Sequence, residues 1–326
     1  MQLSVLLESI KQYSGLYQKK EIQLIGEQLT HSYQYHDYLN GDDTAAILNG
    51  NGYDLLASEG FLTDFVVQDP WFAGWCSVMV NISDIAAMGG RPTAVVNTFW
   101  GDNKHVLTDI FSGMSAASCA LHIPIVGGHT NLHSNTTQLA VSVLGKATTL
   151  LSSFSACSGH ALVAALDLRG NYHSPFLNWN AATTAPPERL RGDLALLPYI
   201  AEHGLAIAAK DISQAGLLGT CVMLLECSQV GAEIELQKIP KPAVVSWLDW
   251  LRSFPSFGYL LTTPIERVND LIEVFSSRNI TASHIGNITE RPDMIIKFGD
   301  QIEHFWDIKN QPLTGMSKHC TQNHIL

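Results

Sequence analysis

Positive charge is scarce in this sequence. Its 326 residues hold 19 Lys and Arg against 30 Asp and Glu, a net charge of −11 with histidine neutral. A surface of that sign repels a phosphate backbone, which argues against nucleic acid as a main partner. Small nucleotides stay open, because metal ions can neutralise a triphosphate locally. Cysteine is sparse too. Cys76, Cys119, Cys157, Cys221, Cys227 and Cys320 form no Cys-x-x-Cys pair and no zinc spacing. Most sit in apolar surroundings, as buried thiols of a reducing compartment do. No apolar run is long enough to cross a membrane, no signal-peptide pattern opens the chain, and no tandem repeat of short period is present. The expectation is a soluble, cytoplasmic protein without a membrane partner. Apolar residues make up 46% of the chain, enough for a sizeable core, and the length suggests two domains or one large one.

What is there centres on residues 69–92. Asp69 suits an N-cap and Pro70 the first helical position. Gly89 suits a left-handed stop, with Pro92 shortly after. Between these marks the residues are apolar almost all round, so the helix should be buried. Asp84 breaks that rule. It falls near the C-terminus, where the helix dipole is negative, and burial adds a desolvation cost. Ser77, Asn81 and Asp84 follow at steps of four and three and form one polar line. Two counter-charges suit Asp84: Arg91 in a structural ion pair, or a metal ion. The helix alone favours the ion pair.

A hairpin precedes this helix. Residues 44–48 are strand-like, Asn49-Gly50-Asn51-Gly52 is turn chemistry, and residues 53–58 return. If those four residues form the loop, Leu48 faces Tyr53, Asp43 faces Ser58 and Asp42 faces Glu59. Opposed acids destabilise a sheet, and a cation held between them reverses the penalty. An ordinary polar turn at Gly41-Asp42-Asp43 is the alternative, and a register slip of one residue weakens the argument.

Elsewhere, residues 3–30 give one or two helices, with Leu3, Leu6, Leu7 and Ile10 on one face and Ile22, Leu24 and Ile25 continuing the pattern. A strand spans 93–100 and a helix 105–121. Residues 123–126 form a short buried strand ending in Gly127-Gly128-His129-Thr130-Asn131. Two glycines there let backbone approach a ligand, with His129 and Asn131 projecting into the site; a plain turn is the alternative. Residues 138–145 alternate as a strand, and 148–153 read as a domain edge. The division expected is 1–150 and 151–326. Residues 161–168 form a buried strand, 170–192 a long loop close to a substrate, and 194–203 a helix. A strand at 205–209 leads through Lys210-Asp211-Ile212-Ser213-Gln214-Ala215-Gly216 into a helix to 228, a natural anion site. Ser213 also suits an N-cap, and Asp211 could bind a metal or brace the loop. Strands follow at 232–236 and 257–262, helices at 243–252 and 264–277. Edge strands are expected over 280–288 and 294–308, with a loose polar tail after 310.

Four stretches in this order resemble one superfamily. They are Gly41-Asp42-Asp43-Thr44-Ala45-Ala46, Asn81-Ile82-Ser83-Asp84-Ile85-Ala86-Ala87-Met88-Gly89-Gly90, Gly127-Gly128-His129-Thr130, and Lys210-Asp211-Ile212-Ser213 through Gly216-Leu217. The superfamily is that of aminoimidazole ribonucleotide synthase, thiamine-monophosphate kinase, selenophosphate synthetase and the hydrogenase maturation carbamoyl dehydratase. The likeness covers roughly residues 40–290.

The resemblance implies an α+β, two-domain AIR-synthase-like architecture. Its N-terminal domain binds ATP and Mg²⁺ and joins its sheet to that of a second copy in a barrel, making a homodimer. Its C-terminal domain is an α/β sandwich. Asp42, Asp43, Glu59 and Asp84 are then the metal ligands, and Asn81, Gly127, Gly128, Thr130 and Ser213 the nucleotide contacts. His129 and Asp211 are the catalytic candidates. The kinase members carry aspartate where this chain has His129. The selenophosphate enzymes need an N-terminal cysteine or selenocysteine, and nothing before Cys76 supplies one. The maturation enzyme ends in a cysteine tail, which Cys320 does not match in context. The chain looks closest to the branch called AIR-synthase-like. The activity implied is ATP- and Mg²⁺-dependent phosphotransfer to, or phosphate activation of, a small molecule. The alternatives are ATP-driven amide activation with cyclisation or dehydration, and a non-catalytic nucleotide-binding partner protein.

Overall fold

The computed structural model describes residues 2–33 and 39–317. Cys320 lies outside them. Three helices open the chain, α1 (Leu3–Lys11), α2 (Ser14–Tyr17) and α3 (Glu21–Tyr33). The spacing of Leu3, Leu6, Leu7 and Ile10 buries all four on α1. The pattern continued into α3 buries less: Leu24 and Ile25 stay exposed. A different side of α3 is held, where Gln23 Nε2 donates to the carbonyls of Pro312 and Leu313 and Gly26 lies against Met316.

The hairpin is β1 (Ala45–Asn49) and β2 (Gly52–Phe61). Leu48 pairs with Tyr53 as anticipated, but Asn49 also pairs with Gly52, so the turn has two residues rather than four. The ladder stops at Ala45 and Leu56. Residues 41–44 bend away, so the facing of Asp43 with Ser58 and Asp42 with Glu59 does not form. Next come α4 (Thr63–Gln68), α5 (Pro70–Ala87), β3 (Arg91–Trp100), α6 (Lys104–Leu121), β4 (Ile125–Asn131) and β5 (Gln138–Ala147). The five strands make one sheet in the order β1-β2-β5-β3-β4, with only β3 and β4 parallel. The long helix α5 packs on β2, β5 and β3 and against α6. Leu55, Val143, Val95 and Phe99 are buried beneath the helices, while Leu56, Leu144 and Val96 on the other face are exposed.

The remaining elements are β6 (Ala161–Leu166), β7 (Asn171–His173), β8 (Asn178–Asn180), α7 (Pro187–Leu194), α8 (Leu196–Glu202), β9 (Ala208–Asp211), α9 (Gly216–Ser228), β10 (Gly231–Glu235), α10 (Trp247–Leu251), β11 (Gly258–Thr263), α11 (Val268–Ser276), β12 (Thr281–Thr289), β13 (Asp293–Phe298) and β14 (Gln301–Asp307). Seven strands form a second sheet, β14-β13-β10-β12-β6-β11-β9. Residues 170–192 are not one long loop. They hold the β7–β8 hairpin, pinned by the buried Trp179 edge-on to Tyr172 and Trp250, and most of α7. β12 is not an edge strand; it lies between β10 and β6. The chain after 310 is not loose up to Ser317, because Leu313, Thr314 and Ser317 are buried.

The architecture is α+β with two compact units. One comprises Met1–Asp42, Leu150–Ala181 and Ile200–Leu326, and the other Asp43–Thr149 and Ala182–Tyr199. Among the described residues no helix is long and apolar enough to cross a membrane. Cys76, Cys221 and Cys227 are buried and in no disulfide, but Cys119 and Cys157 are exposed.

Candidate functional site

α5 carries the central acid. Pro70 opens it, and Gly89 closes it at φ +77° with its N–H on the Ala86 carbonyl, 2.8 Å away. Asp69 occupies the N-cap without a side-chain cap; its carbonyl instead accepts the Ala73 N–H at 2.8 Å. The polar line is buried. Ser77 Oγ donates to the Gly74 carbonyl and Asn81 Nδ2 to the Ser77 carbonyl, each at 2.8 Å. Both bonds turn back into the helix, and Asn81 Oδ1 is left buried with no hydrogen-bond partner.

Asp84, 5% exposed, follows on this line. Its carboxylate oxygens and those of Asp43 include a pair within 4.8 Å. Two carboxylates this close repel, and the helix C-terminus adds to the cost. A divalent cation liganded by oxygen removes that cost, and the spacing suits one. Thr44, next to Asp43, also has a buried Oγ1 with no hydrogen-bond partner. Within one compact unit there are thus two neighbouring carboxylates and two buried oxygens, on Thr44 and Asn81, unused by the protein. Buried polar atoms are normally satisfied by protein, water or ligand. This donor set is all oxygen and fits Mg²⁺.

Asp42 is placed differently. Its Oδ1 accepts the Ser153 N–H and its Oδ2 the Ser152 hydroxyl, both at 2.6 Å. Burial pushes its carboxyl above the usual range, opposed by the Lys210 charge and by these hydrogen bonds. Glu59 sits on β2 opposite Val141. Neither Asp42 nor Glu59 joins a group of metal-suited side chains among the described residues.

Gly127, Gly128, His129 and Thr130 do not follow the end of a buried strand. They lie within β4, the exposed edge of the five-stranded sheet, paired with Val96, Asn97, Thr98 and Phe99. A side chain at Gly128 would meet the Asn97 carbonyl at 2.3 Å, so close strand contact accounts for that glycine. Nothing lies within 4 Å of a Cβ built at Gly127. His129 shares the face of Thr98, opposite that of the buried Asn97, and is exposed.

Asp211 is buried at the end of β9, opposite Tyr259. Ser213 does not cap α9, whose N-cap is Ala215. Its N–H donates to Thr220 Oγ1 at 3.1 Å and its Oγ accepts the Ala215 N–H at 3.3 Å, an internal turn. Thr44, Lys210 and Glu226 are buried polar residues that sequence reasoning did not single out. For Glu226 the signal was present: it is a lone charge inside an apolar run.

The family description "AIR synthase related protein, N-terminal domain" matches residues 41–147, and "AIR synthase related protein, C-terminal domain" matches residues 125–299. A Synechocystis protein described as uncharacterised is 42% identical over 97% of this chain and 99% of its own length. The thiamine-monophosphate kinase of Synechococcus elongatus is 26% identical over 81% of this chain and 88% of its own. Among solved structures, a ThiL complexed with AMPPCP and TMP superposes with a TM-score of 0.65 at 19% identity, over 87% of this chain and 95% of that one. Thermotoga maritima PurL complexed with ATP gives 0.69 at 17% identity over 86% of this chain, which spans about half of PurL, 46%. At these identities the superpositions show the fold. The matched domains and the full-length relative show the family: the chain belongs to the AIR synthase related proteins.

Proposed function

We propose that this protein is an ATP- and Mg²⁺-dependent enzyme that transfers phosphate to, or activates through phosphate, a small molecule. One observation carries the reading: the close pair of Asp43 and Asp84 inside the matched N-terminal domain. The relatives named above, a kinase and proteins bound to ATP or an analogue, support the nucleotide. Asp43 and Asp84 would hold Mg²⁺, which when bound neutralises triphosphate charge and aligns the phosphoryl group. Burial of α5 keeps the Asp84 carboxylate in one place, so no reorganisation is needed when the ion arrives. Asn81 Oδ1 and Thr44 Oγ1 would accept from ion-bound water. Thr130, on the edge strand, is assigned to the nucleotide. His129, exposed on that strand, is assigned to positioning the substrate or taking its proton. Ser213 is assigned to the nucleotide as well, and Asp211 to the substrate. The protein would work as a homodimer joined through the uncovered face of the five-stranded sheet.

Titration calorimetry with Mg-ATP tests the reading. Heat with a one-to-one stoichiometry per chain is expected, together with a thermal shift that needs both metal and nucleotide. Neither heat nor shift would end it. Given binding, ³¹P NMR of the products separates the chemistries. A phosphorylated substrate marks a kinase, and free phosphate with a cyclised or dehydrated product marks amide activation. Binding without turnover over a broad substrate panel marks a silent partner protein.

A further inference from the structure

We propose that Lys210 is a positioning residue. With Ser152 it fixes the backbone at Gly41 and Asp42, from which Asp43 leaves, and Asp42 itself does not ligate the metal. The inference rests on the reading of Asp43 as a metal ligand and deepens it.

Both oxygens of Asp42 are engaged at 2.6 Å, by the Ser152 hydroxyl and the Ser153 N–H. Ser152 Oγ is itself held, accepting the Phe154 N–H at 3.2 Å. Lys210 is 4% exposed, on the buried strand β9. A buried ammonium is costly unless a counter-charge and acceptors meet it. Its Nζ donates to the Gly41 carbonyl at 3.4 Å, and its charge acts on Asp42. Cys227 Sγ donates to the same carbonyl at 3.5 Å. Gly41 takes φ +138°, and a Cβ there would lie 2.6 Å from Met316 Cβ and 3.3 Å from the Phe154 ring. The chain therefore passes through a tight slot with its carbonyl and the next carboxylate both tied down. An ammonium acting on Asp42 also repels a second cation, which disfavours Mg²⁺ at that carboxylate. The adjacent Asp43 meets Asp84 instead. Two successive acids thus divide the work, one neutralised by lysine to place the chain and one presented to a metal.

Mn²⁺ binding to the full chain without nucleotide, followed by electron paramagnetic resonance, tests this. Asp43→Asn should abolish binding. Lys210→Met should raise the Kd about tenfold, as loss of a group orienting a ligand does. Ser152→Ala, which removes two hydrogen bonds and no charge, should raise it a few-fold and covers the case in which the lysine variant fails to fold. Asp42→Asn added to Lys210→Met should recover most of the loss, because no unpaired buried charge then remains. A merely structural brace would lower the melting temperature and leave the Kd of the folded variants unchanged, which overturns the proposal. Asp42→Asn alone abolishing Mn²⁺ binding as fully as Asp43→Asn also overturns it, by making Asp42 a ligand. No Mn²⁺ binding by the unaltered chain would instead sink the metal reading, and this inference with it.

Discussion

Glu226 lies in an apolar, buried helix, α9, yet its two oxygens accept four hydrogen bonds. The donors are the N–H groups of Leu313, Thr314 and Gly315 and the Thr314 hydroxyl, at 2.8 to 3.1 Å. Replacing Glu226 with alanine strands these donors, at about 1–3 kcal/mol for each one left buried. We expect a clear drop in denaturant midpoint and faster amide exchange confined to residues 313–315; unchanged exchange there would contradict the clasp. The pH sign is fixed as well. Burial raises the folded pKa of Glu226 above its unfolded value, the hydrogen bonds offsetting part of this. Between those two values the folded state holds a proton the unfolded chain has lost, so the stability contribution declines as pH rises through that window. The melting temperature of the natural chain, minus that of Glu226→Gln, should fall across it. At the candidate site, Asp43→Asn and Asp84→Asn should each erase the Mg²⁺-dependent thermal shift given by ATP, while Glu59→Gln leaves it. Loss of the shift in Glu59→Gln would return that residue to the metal set.

Elements differ in how much of them local pattern reveals. α5 was legible end to end, because proline, glycine and unbroken apolarity are local signals. The hairpin register was legible from its turn, but the end of the ladder was not, since bending at 41–44 depends on Asp42 being drawn to Ser152 and Ser153, more than a hundred residues away. The same long range hides strand order. β12 reads as an edge because its half-buried residues dilute the apolar pattern, although it is paired on both sides. β4 shows the converse: its apolar start suggested burial, and its place at the sheet edge leaves it exposed. Its two glycines separate strand packing from ligand approach. Gly128→Ala drives a Cβ into the Asn97 carbonyl and should cost about 1–3 kcal/mol, the range for overpacking. Gly127→Ala meets nothing and should be near neutral in a melt. If Gly127→Ala keeps its stability but loses Mg-ATP affinity, backbone approach to the nucleotide gains its support at 127; equal melting temperatures for both variants would refute the packing account.

For the whole molecule, the uncovered face of the five-stranded sheet decides the assembly proposed above. Ala45 pairs with Leu56, Leu56 with Leu144 and Leu144 with Ala94, so one apolar row crosses four strands. Leu56, Leu144, Ile47 and Val96 share that face and are exposed on the chain by itself. An apolar row of this extent on a sheet is a feature of association surfaces rather than of solvated ones. In a two-fold pairing each residue is used twice, so one substitution removes two contacts. Fully burying a leucine is worth about 1.5–3 kcal/mol, and doubling that weakens the dimer by at least about a hundredfold. Leu144→Glu also places a carboxylate beside its symmetry mate in a chain that is already acidic. Sedimentation of the natural chain should give a dimer, and Leu144→Glu a folded monomer with unchanged circular dichroism. A monomeric natural chain, or a dimer indifferent to Leu144→Glu and Leu56→Glu alike, would move the interface elsewhere and leave this row without a partner.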